Sequence, residues 1–302
     1  MSNNTKNPNW IGVDWGTSNL RVALMYDDGT TQCLTSDQGM SGLNPDAFEP
    51  ALLAMINDHL GAGVTPVVIC GMAGSRQGWA EAPYIATPCN PPSIAEAVKV
   101  KVNDPRISVS ILPGVKQAKP ADVMRGEETQ IAGFLAQKPD FDGVLCLPGT
   151  HSKWVHISAK EIVSFRTFMT GEMFALLAEQ SVLRFSVQAE LDLDAFDTAV
   201  GDALSRPETI GAELFALRAG TLLATLSESA ARGRLSGLLI GTELAGARPY
   251  WLGRDIALIG AGKLTALYQR ALAQQGITAP AVSGEDMVLS GLSAAYTQQV
   301  KT

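Results

Sequence analysis

Short apolar runs alternate with segments of helical periodicity along this chain of 302 residues. Aliphatic and β-branched runs bounded by Gly, Asp or Pro are typical of strands, whereas apolar residues at three- and four-residue spacing are typical of helices. The predicted strands are 10–15, 20–26, 66–70, 107–112, 143–147, 153–158, 238–240 and 256–259. The predicted helices are 46–60, 93–100, 126–137, 171–182, 208–231, 262–276 and 285–299. A hairpin followed by β–α alternation predicts an α/β fold, and the length of the chain predicts two lobes.

The first predicted hairpin joins an acid to a turn of small residues. Asp14 stands near the end of the strand, and Gly16, Thr17 and Ser18 form the turn. A carboxylate in this place can hold Mg²⁺ through water, while backbone N–H and hydroxyl groups close on phosphate oxygens. The same pattern also occurs in ordinary hairpin turns. This segment alone therefore leaves both interpretations open.

A second copy of the pattern favours phosphate binding. The apolar run 143–147 leads into Gly149 and Thr150, and a further strand follows. Neither turn has the G-x-x-x-x-G-K-[ST] spacing of a P-loop. A triphosphate has more oxygens than one turn can satisfy, so two such hairpins suit one nucleotide. The repeat indicates an internal duplication with one phosphate hairpin in each lobe.

Two adjacent acids begin the helix predicted between the hairpins. Glu127 and Glu128 follow Gly126, where a carboxylate favours the positive end of the helix dipole. They can be ordinary first-turn acids. A kinase, however, needs a carboxylate to accept the proton of the attacking hydroxyl. Glu127 is the first candidate for that base and Glu128 the second.

Composition limits the class of partner. With a net charge of −7 the chain is poorly suited to nucleic acid or an anionic membrane surface. Residues 1–9 do not form a signal peptide and no apolar run approaches ~20 residues, so we expect a cytoplasmic protein. Cys33, Cys70, Cys89 and Cys146 lack C-x-x-C spacing, which predicts buried reduced thiols and no zinc site.

The order of the segments resembles the sugar kinase, actin and heat-shock chaperone superfamily. The segments that carry the resemblance are 14–21, 126–134, 147–153, 258–264 and 288–295. The resemblance implies a two-lobed actin-like ATPase (ribonuclease H-like) fold with the active site in the interlobe cleft. It also implies that ATP and Mg²⁺ are the cofactors.

Two further segments, 70–84 and 165–172, are similar to those of the 2-dehydro-3-deoxygalactonokinase family. This similarity implies a carbohydrate kinase that phosphorylates the terminal hydroxyl of a small sugar acid, 2-keto-3-deoxygalactonate, in galactonate breakdown. Residues 1–125 would form the N-terminal lobe with the sugar-acid site, completed by a helix at 285–302. Residues 126–284 would form the C-terminal lobe with the adenosine site.

The resemblance also implies roles for individual residues. Asp14 would hold the metal ion. Phosphates and adenosine would be lined by Gly16, Thr17, Ser18, Gly149, Thr150, Gly260 and Gly262. Lys153 would add positive charge near the phosphates, although a solvated strand lysine is an equally good interpretation.

An acidic chain needs a local cation to bind the carboxylate of its substrate. Arg76, beside Trp79 in a Gly-rich loop, is the first candidate, and Arg21 and Arg166 follow. A surface ion pair is the alternative for each arginine. Trp79 can pack on the carbon face of the sugar or fill the core.

Several choices stay open. Relatives with this fold commonly place Asp where this chain has two glutamates, so the base is not fixed. Another sugar or sugar acid, an exopolyphosphatase-like hydrolase and a non-catalytic ATP-binding switch are the alternative functions. Both a monomer and a homodimer fit the sequence.

Overall fold

The structure, a computed structural model, describes residues 7–297. The chain forms two compact units. Unit 1 comprises Met1–Phe141, Ser158–Val163 and Gly284–Thr302, and unit 2 comprises Asp142–Ile157 and Ser164–Ser283. Unit 2 is therefore an insertion in the sequence of unit 1.

The helices and strands are numbered in chain order. The strands are β1 (Trp10–Trp15), β2 (Leu20–Met25), β3 (Thr31–Ser36), β4 (Thr65–Gly71), β5 (Ile85–Ala86), β6 (Val98–Val100), β7 (Ile107–Ile111), β8 (Val115–Gln117), β9 (Asp122–Met124), β10 (Gly143–Leu147), β11 (Ser152–Ser158), β12 (Glu161–Phe168), β13 (Ile256–Ile259) and β14 (Ala281–Val282). The helices are α1 (Phe48–Ile56), α2 (Glu127–Gln137), α3 (Thr170–Glu179), α4 (Leu193–Ser205), α5 (Ile210–Leu222), α6 (Glu228–Gly246), α7 (Arg248–Trp251), α8 (Gly262–Ala273) and α9 (Gly284–Thr297).

The main sheet of unit 1 has the order β3-β2-β1-β4-β7-β6. The strands β1, β2 and β3 are antiparallel neighbours, whereas β4 and β7 continue parallel to β1. On one face the aromatic rings of Trp15, Phe48 and Trp79 pack together with centroids 4.8–6.1 Å apart. On the other face Leu292 of α9 packs with Val68. Because both faces are covered, β1 is apolar at almost every position.

Helices α2 and α9 cross at very short range in unit 1. A Cβ atom on Gly133 would lie 1.9 Å from the carbonyl oxygen of Met287, and one on Gly291 would lie 1.9 Å from that of Thr129. Only glycine permits backbones to approach so closely. Through this crossing α2 is held beside the sheet of unit 1.

The sheet of unit 2 repeats the arrangement with the order β12-β11-β10-β13-β14. The strands β10 and β11 form an antiparallel hairpin, and β13 and β14 continue parallel to β10. Below this sheet α6 packs on α4 through Gly233 and Gly237, whose Cβ positions would lie 2.2–2.3 Å from carbonyl oxygens of Asp192 and Phe196.

The same strand order in both units, an antiparallel hairpin followed by parallel strands, is that of an actin-like ATPase of the ribonuclease H type. The prediction of an α/β protein with two such units is confirmed.

The unit boundary corrects the predicted one. The sequence placed the boundary after residue 125 and assigned the acidic helix to the second lobe, whereas α2 belongs to unit 1 and the chain leaves that unit after Phe141. The reason is the close packing of α2 on α9. The chain returns to unit 1 briefly at Ser158–Val163 and finally at Gly284. The predicted helix end at 298–302 lies outside the described residues.

Three predicted elements are wrong in kind or extent. Residues 238–240 lie inside α6, where burial on all sides makes a helical stretch as apolar as a strand. Residues 93–100 contain one 3-10 turn capped by Ser93 and then β6. The predicted helix 208–231 is broken after α5, where Ala224 has a φ of 55°. Of the four cysteines Cys33 is exposed and Cys89 is half-buried, so the prediction of buried thiols is confirmed only for Cys70 and Cys146.

Candidate functional site

Asp14 lies on β1 directly opposite Arg21 of β2. The Nη1 atom of Arg21 is 3.4 Å from Oδ2 of Asp14, and its Nη2 atom is 3.2 Å from Oε1 of Glu285 on α9. Burial raises the pKa of Asp14 above its ordinary value, with Arg21 opposing the rise and the nearby charges of Glu127 and Glu285 adding to it. Arg21 is thus occupied by two carboxylates of its own unit, which argues against the predicted role of holding the substrate's carboxylate.

Backbone hydrogen bonds from a neighbouring segment hold the turn after Asp14 in place. The backbone N–H groups of Met40 and Ser41 donate to the carbonyl oxygens of Gly16 and Thr17 over 3.0 Å each. Gly39 lets the supporting chain approach, since a Cβ there would lie 2.4 Å from the oxygen of Thr17. The side chains of Thr17 and Ser18 are exposed. A fixed backbone with exposed hydroxyls is suited to phosphate oxygens.

Glu127 and Glu128 have different surroundings. Both carboxylate oxygens of Glu128 accept the N–H of Gly126 at 2.8 Å, and the side chain is only 1% exposed. Burial, reinforced by the charge of Glu127, raises the pKa of Glu128 to about 7. Glu127 is half-buried and accepts the N–H of Arg125 at 3.0 Å. Of the two carboxylates, that of Glu127 is the more exposed to solvent.

Arg125, which the sequence reasoning missed, lies against the loop predicted to recognise the sugar acid. Its Nη2 atom donates to the carbonyl oxygen of Ala82 at 2.7 Å, and its guanidinium lies 4.3 Å from the ring centroid of Tyr84. Within residues 7–297 its Nε and Nη1 atoms are buried without a hydrogen-bond partner. Arg125 directly precedes the predicted acidic helix, but a sequence carries no sign of an unused donor.

The other predicted carboxylate ligands are less enclosed. Arg76 is 81% exposed and lies 3.7 Å from Glu81, which is the ion pair named as its alternative. Arg166 on β12 is exposed. Trp79 packs on Trp15 and Phe48, which favours the core interpretation of this residue.

Unit 2 contains a cavity of about 610 Å³ beside its hairpin. Gly149 and Thr150 line one end. The remaining walls are formed by Thr170, Gly171, Phe174, Gln188, Ala189, Glu190, Leu191, Arg232, Ser236, Leu239, Ile240, Lys263, Leu264 and Leu267. The volume and the mixture of apolar walls with few polar groups are typical of a nucleotide-sized ligand.

Two helix N-termini contribute to this cavity. Thr170 and Gly171 begin α3, and Lys263 lies in the first turn of α8. Gly171 fits tightly under the hairpin, since a Cβ would lie 2.3 Å from the carbonyl oxygen of Gly149. The N–H of Glu172 also donates to the carbonyl of Thr150 at 2.9 Å. Helix N-termini favour phosphate groups because their N–H groups and dipoles point outward.

Hydrogen bonds to the buried carboxylate of Glu243 link the elements around the hairpin of unit 2. Glu243 of α6 is 2% exposed and accepts from Trp154 Nε1 at 2.8 Å, from Tyr268 Oη at 2.7 Å and from the Thr170 hydroxyl. Tyr268 in turn shares a 2.7 Å hydrogen bond with Ser152. Burial raises the pKa of Glu243, and its three donors oppose the rise. The network fixes β11, α3, α6 and α8 relative to one another.

The remaining predicted cofactor residues, Lys153, Gly260 and Gly262, do not line the cavity. Lys153 is 4% exposed and donates to Thr167 at 3.2 Å, so the solvated alternative is wrong. Gly260 is close to its own unit, where a Cβ would lie 2.6 Å from Thr265 Oγ1. Gly262 has a φ of 72° at the start of α8. Neither glycine is among the residues that line the cavity.

Several residues that line the cavity of unit 2 belong to none of the segments singled out in the sequence. Arg232 comes from α6 and donates to the carbonyl of Val187 at 2.8 Å, while its guanidinium lies 5.4 Å from the ring of Phe174. The loop residues Gln188–Leu191 have no pattern that marks a site. Only long-range packing brings these segments together, which local periodicity does not record.

Neither a membrane span nor a metal cluster is found between residues 7 and 297. No helix there has the length and apolar character to cross a bilayer. No three His, Cys, Asp or Glu side chains in that part of the chain come together as metal ligands.

Comparisons with known proteins agree over nearly the whole chain. The model of the 2-keto-3-deoxy-galactonokinase family matches residues 14–295. A Rhizobium meliloti (strain 1021) protein named as a probable 2-dehydro-3-deoxygalactonokinase is 39% identical over 298 residues, covering 95% of this chain and 96% of the relative. The 2-dehydro-3-deoxygalactonokinase of Escherichia coli (strain K12) is 37% identical over 287 residues, covering 94% and 96%.

A solved structure agrees as well. The crystal structure of a Sinorhizobium meliloti protein, described as a 2-dehydro-3-deoxygalactonokinase protein, superposes with a TM-score of 0.89 at 38% identity and covers 96% of this chain and 99% of its own. The strand order of both units, the hairpin sites and these matches lead to one conclusion: the chain belongs to the 2-keto-3-deoxy-galactonokinase family.

Proposed function

We propose that this protein transfers the γ-phosphoryl group of ATP to the terminal hydroxyl of 2-dehydro-3-deoxy-D-galactonate and forms the 6-phosphate, a step of galactonate catabolism. The observation that carries the proposal is the cavity of about 610 Å³ that ends at Gly149 and Thr150, in a chain whose relatives are named for this reaction. The enzyme would work in the cytoplasm, where ATP is available.

Unit 2 is the proposed ATP site. The apolar walls Phe174, Leu239 and Leu264 suit the adenine ring, and the N-terminus of α3 suits the phosphates. Lys263 lines the cavity and supplies positive charge. Gly260 and Gly262 support this site by shaping the start of α8 instead of touching the nucleotide.

Unit 1 is the proposed site of the metal ion. Asp14 is a single carboxylate, and Mg²⁺ is usually held by one or two carboxylates together with water and substrate phosphates. The residues present therefore fit Mg²⁺ bound with ATP, and Gly16, Thr17 and Ser18 would complete the phosphate contacts. The ion would neutralise negative charge on the transferred phosphoryl group.

Glu127 is the proposed general base. Its carboxylate is half-buried on the first turn of α2, whereas the carboxylate of Glu128 is enclosed and bonded to Gly126. Glu127 would accept the proton of the attacking hydroxyl as that oxygen bonds to phosphorus. Glu128 would fix the start of α2 and so act as a positioning residue.

Arg125 is the proposed ligand of the sugar acid's carboxylate, ahead of Arg76. A buried guanidinium with two unused donors is costly unless an anionic group completes its hydrogen bonds. The same segment contains Glu127 two residues later, so one short stretch would bind the acid and activate the hydroxyl. Arg76 would contribute from the exposed part of the loop, and Arg166 is a weaker candidate.

An assay of ADP release over a panel of acceptors tests the proposal. The panel contains 2-dehydro-3-deoxy-D-galactonate, its gluconate epimer, neutral hexoses, polyphosphate and no acceptor. We expect release only with a sugar acid, and ³¹P NMR should identify a 6-phosphate. Turnover of polyphosphate would indicate a hydrolase, and ATP binding without any turnover would indicate a switch. Either outcome would overturn the proposal.

A further inference from the structure

Helix α5 of unit 2 is mostly apolar, yet little of it is buried. Among its 13 residues only Glu213, Arg218 and Thr221 are polar, and Leu217 is the one buried residue. The apolar face of a helix is normally packed against another part of the protein. In the chain as described, one whole side of α5 faces water.

The uncovered side forms a continuous stripe. Gly211, Ala212, Phe215, Ala216, Leu222 and Leu223 are all exposed and recur at helical spacing. Phe215 is 66% exposed, Leu222 65% and Leu223 74%. We call these six residues the α5 stripe. The small residues Gly211, Ala212 and Ala216 would let a second helix approach closely.

The polar residues of α5 lie outside the stripe, although Arg218 borders it beside Leu222. Glu213 lies 3.4 Å from Arg234 of α6. Arg218 donates to the hydroxyl of Ser186 at 3.3 Å, and Thr221 shares a 2.6 Å hydrogen bond with the same hydroxyl. All three are bonded within their own unit, so the stripe carries no charge.

A groove of about 500 Å³ adjoins the C-terminal end of the stripe. Its walls include Phe185, Arg218, Leu222 and Leu226. Phe185 is 52% exposed, and its neighbour Val182 is 56% exposed. Phe215 projects one turn before Arg218, outside this groove. The patch therefore contains a protruding aromatic ring and a recess of mixed polarity, whose polar walls are Arg218, Thr221, Thr225, Ser227 and Glu228.

We propose that this surface is the interface of a two-fold homodimer. The α5 helices of two subunits would pack antiparallel, and Phe215 of each subunit would enter the groove of the other. A two-fold axis perpendicular to α5 exchanges the ends of the stripe, so one patch supplies both halves of the contact.

The exposed area agrees with this assignment. Val182, Phe185, Phe215, Leu222 and Leu223, each more than half exposed, offer on the order of 600 Å². The small residues of the stripe extend this area toward the roughly 800 Å² per partner of a stable interface. A typical monomer seldom exposes an apolar patch larger than about 300–600 Å². None of the six stripe residues is charged, although Arg218 and Glu228 line the adjoining groove. An uncharged stripe favours a second copy of this chain over a charged partner, because homodimer interfaces are the more apolar class.

Sedimentation of the full-length protein tests the proposal. We expect a dimer at micromolar concentration, and Phe215→Glu and Leu222→Glu should raise the dimer dissociation constant at least ~100-fold, because each would bury two unpaired carboxylates. Val64→Glu and Leu252→Glu are matched controls, since these isolated side chains are 63% and 64% exposed, and both variants should stay dimeric.

A second measurement separates dissociation from misfolding. Hydrogen exchange of residues 210–223 in the unmodified protein should slow as protein concentration rises, and both stripe variants should keep the far-UV circular dichroism spectrum of the wild type. A wild-type monomer at ~100 μM, dimeric stripe variants, or exchange of this segment that does not depend on concentration would each overturn the proposal. Because the readouts are mass and exchange, failure of the proposed kinase reaction would leave the result unaffected.

Discussion

The two hairpins have the same topology but different chemistry. In unit 1 the strand before the turn carries Asp14, with Glu127 and Glu285 close enough to influence its pKa. In unit 2 the corresponding strand β10 has only apolar residues and glycine, and its turn opens on a large cavity. The same strand arrangement thus surrounds an acidic site in one unit and a ligand-sized cavity in the other. This contrast indicates that shared strand order determines where a site lies, while a few side chains determine what it does.

The largest effect is expected from removing the proposed base of unit 1. Glu127→Gln should lower kcat by about 10²–10⁴-fold with the KM for ATP little changed, because the amide cannot accept the hydroxyl proton. Steady-state kinetics measure both constants. Glu128→Gln is the neighbouring control and should lower kcat by less than ~10-fold. Equal losses in the two variants would show that the acids act only as structure.

A smaller effect is expected at the proposed carboxylate ligand of the same unit. Arg125→Ala should raise the KM for the sugar acid by about 10–100-fold, since a charge-assisted hydrogen bond contributes roughly 1.5–3 kcal/mol. The KM for ATP should change little, because the proposed adenosine site lies in unit 2. Arg76→Ala is the exposed counterpart and should have the smaller effect. If Arg76→Ala proves the more damaging change, the carboxylate binds at the exposed end of the loop.

In unit 2 we expect a substitution to change the KM for ATP and not the KM for the sugar acid. Glu243→Ala leaves the donors of Trp154, Tyr268 and Thr170 without their shared acceptor, and Thr170 lines the cavity. We expect the KM for ATP to rise about 10-fold and the KM for the sugar acid to stay constant. Glu243→Gln should restore most of the ATP affinity, because its oxygen can still accept from Trp154. A lower Tm with unchanged KM for ATP would limit Glu243 to a structural role.

The smallest effect concerns stability and pH in unit 1. The pKa of Glu128 is raised to about 7 in the folded protein, so the folded state binds the extra proton between its ordinary value of 4.5 and about 7. Stability from this group is therefore full below about pH 4.5 and falls as pH rises through 7. Glu128→Gln should match the wild type near pH 4.5 and exceed its Tm by several degrees at pH 8, a difference on the order of 3 kcal/mol at most.

Thermal melts of both proteins across this pH range provide the check. Asp14 also has a raised pKa, but it titrates in both proteins and cancels in the comparison. A constant difference in Tm at all pH values would mean that Glu128 does not titrate in this window.

Sequence patterns predicted the hairpins well, because the signal is local there. The strand at 10–15 is found at its predicted bounds, since an apolar run ends at Asp14 and Gly16 within a few residues. The unit boundary depends instead on contacts between Gly133 and Gly291, which lie far apart in the sequence. No local pattern shows that one glycine will meet the backbone of a distant helix.

Local sequence patterns also predicted the candidate functional site only in part. Asp14 and Glu127 were candidates because their residue types and spacing imply chemistry. The burial of Lys153 against Thr167 was not predictable, since a lysine on an alternating strand is usually solvated. Arg232 reaches the cavity only because α6 packs across α4, which again is a property of the assembled unit.

The insertion of unit 2 in the sequence of unit 1 has a consequence for protein synthesis. Helix α9 follows Ser283, so it leaves the ribosome after all of unit 2 has been made. Until then the sheet face that contains Val68 and Leu112 lacks the helix that covers it. Since domains tend to fold as units, unit 2 can fold first although unit 1 begins the chain. A nascent chain that stops before Gly284 would expose this apolar face to chaperones, and bulky substitutions at Gly291 would reduce the yield of folded protein more than its turnover.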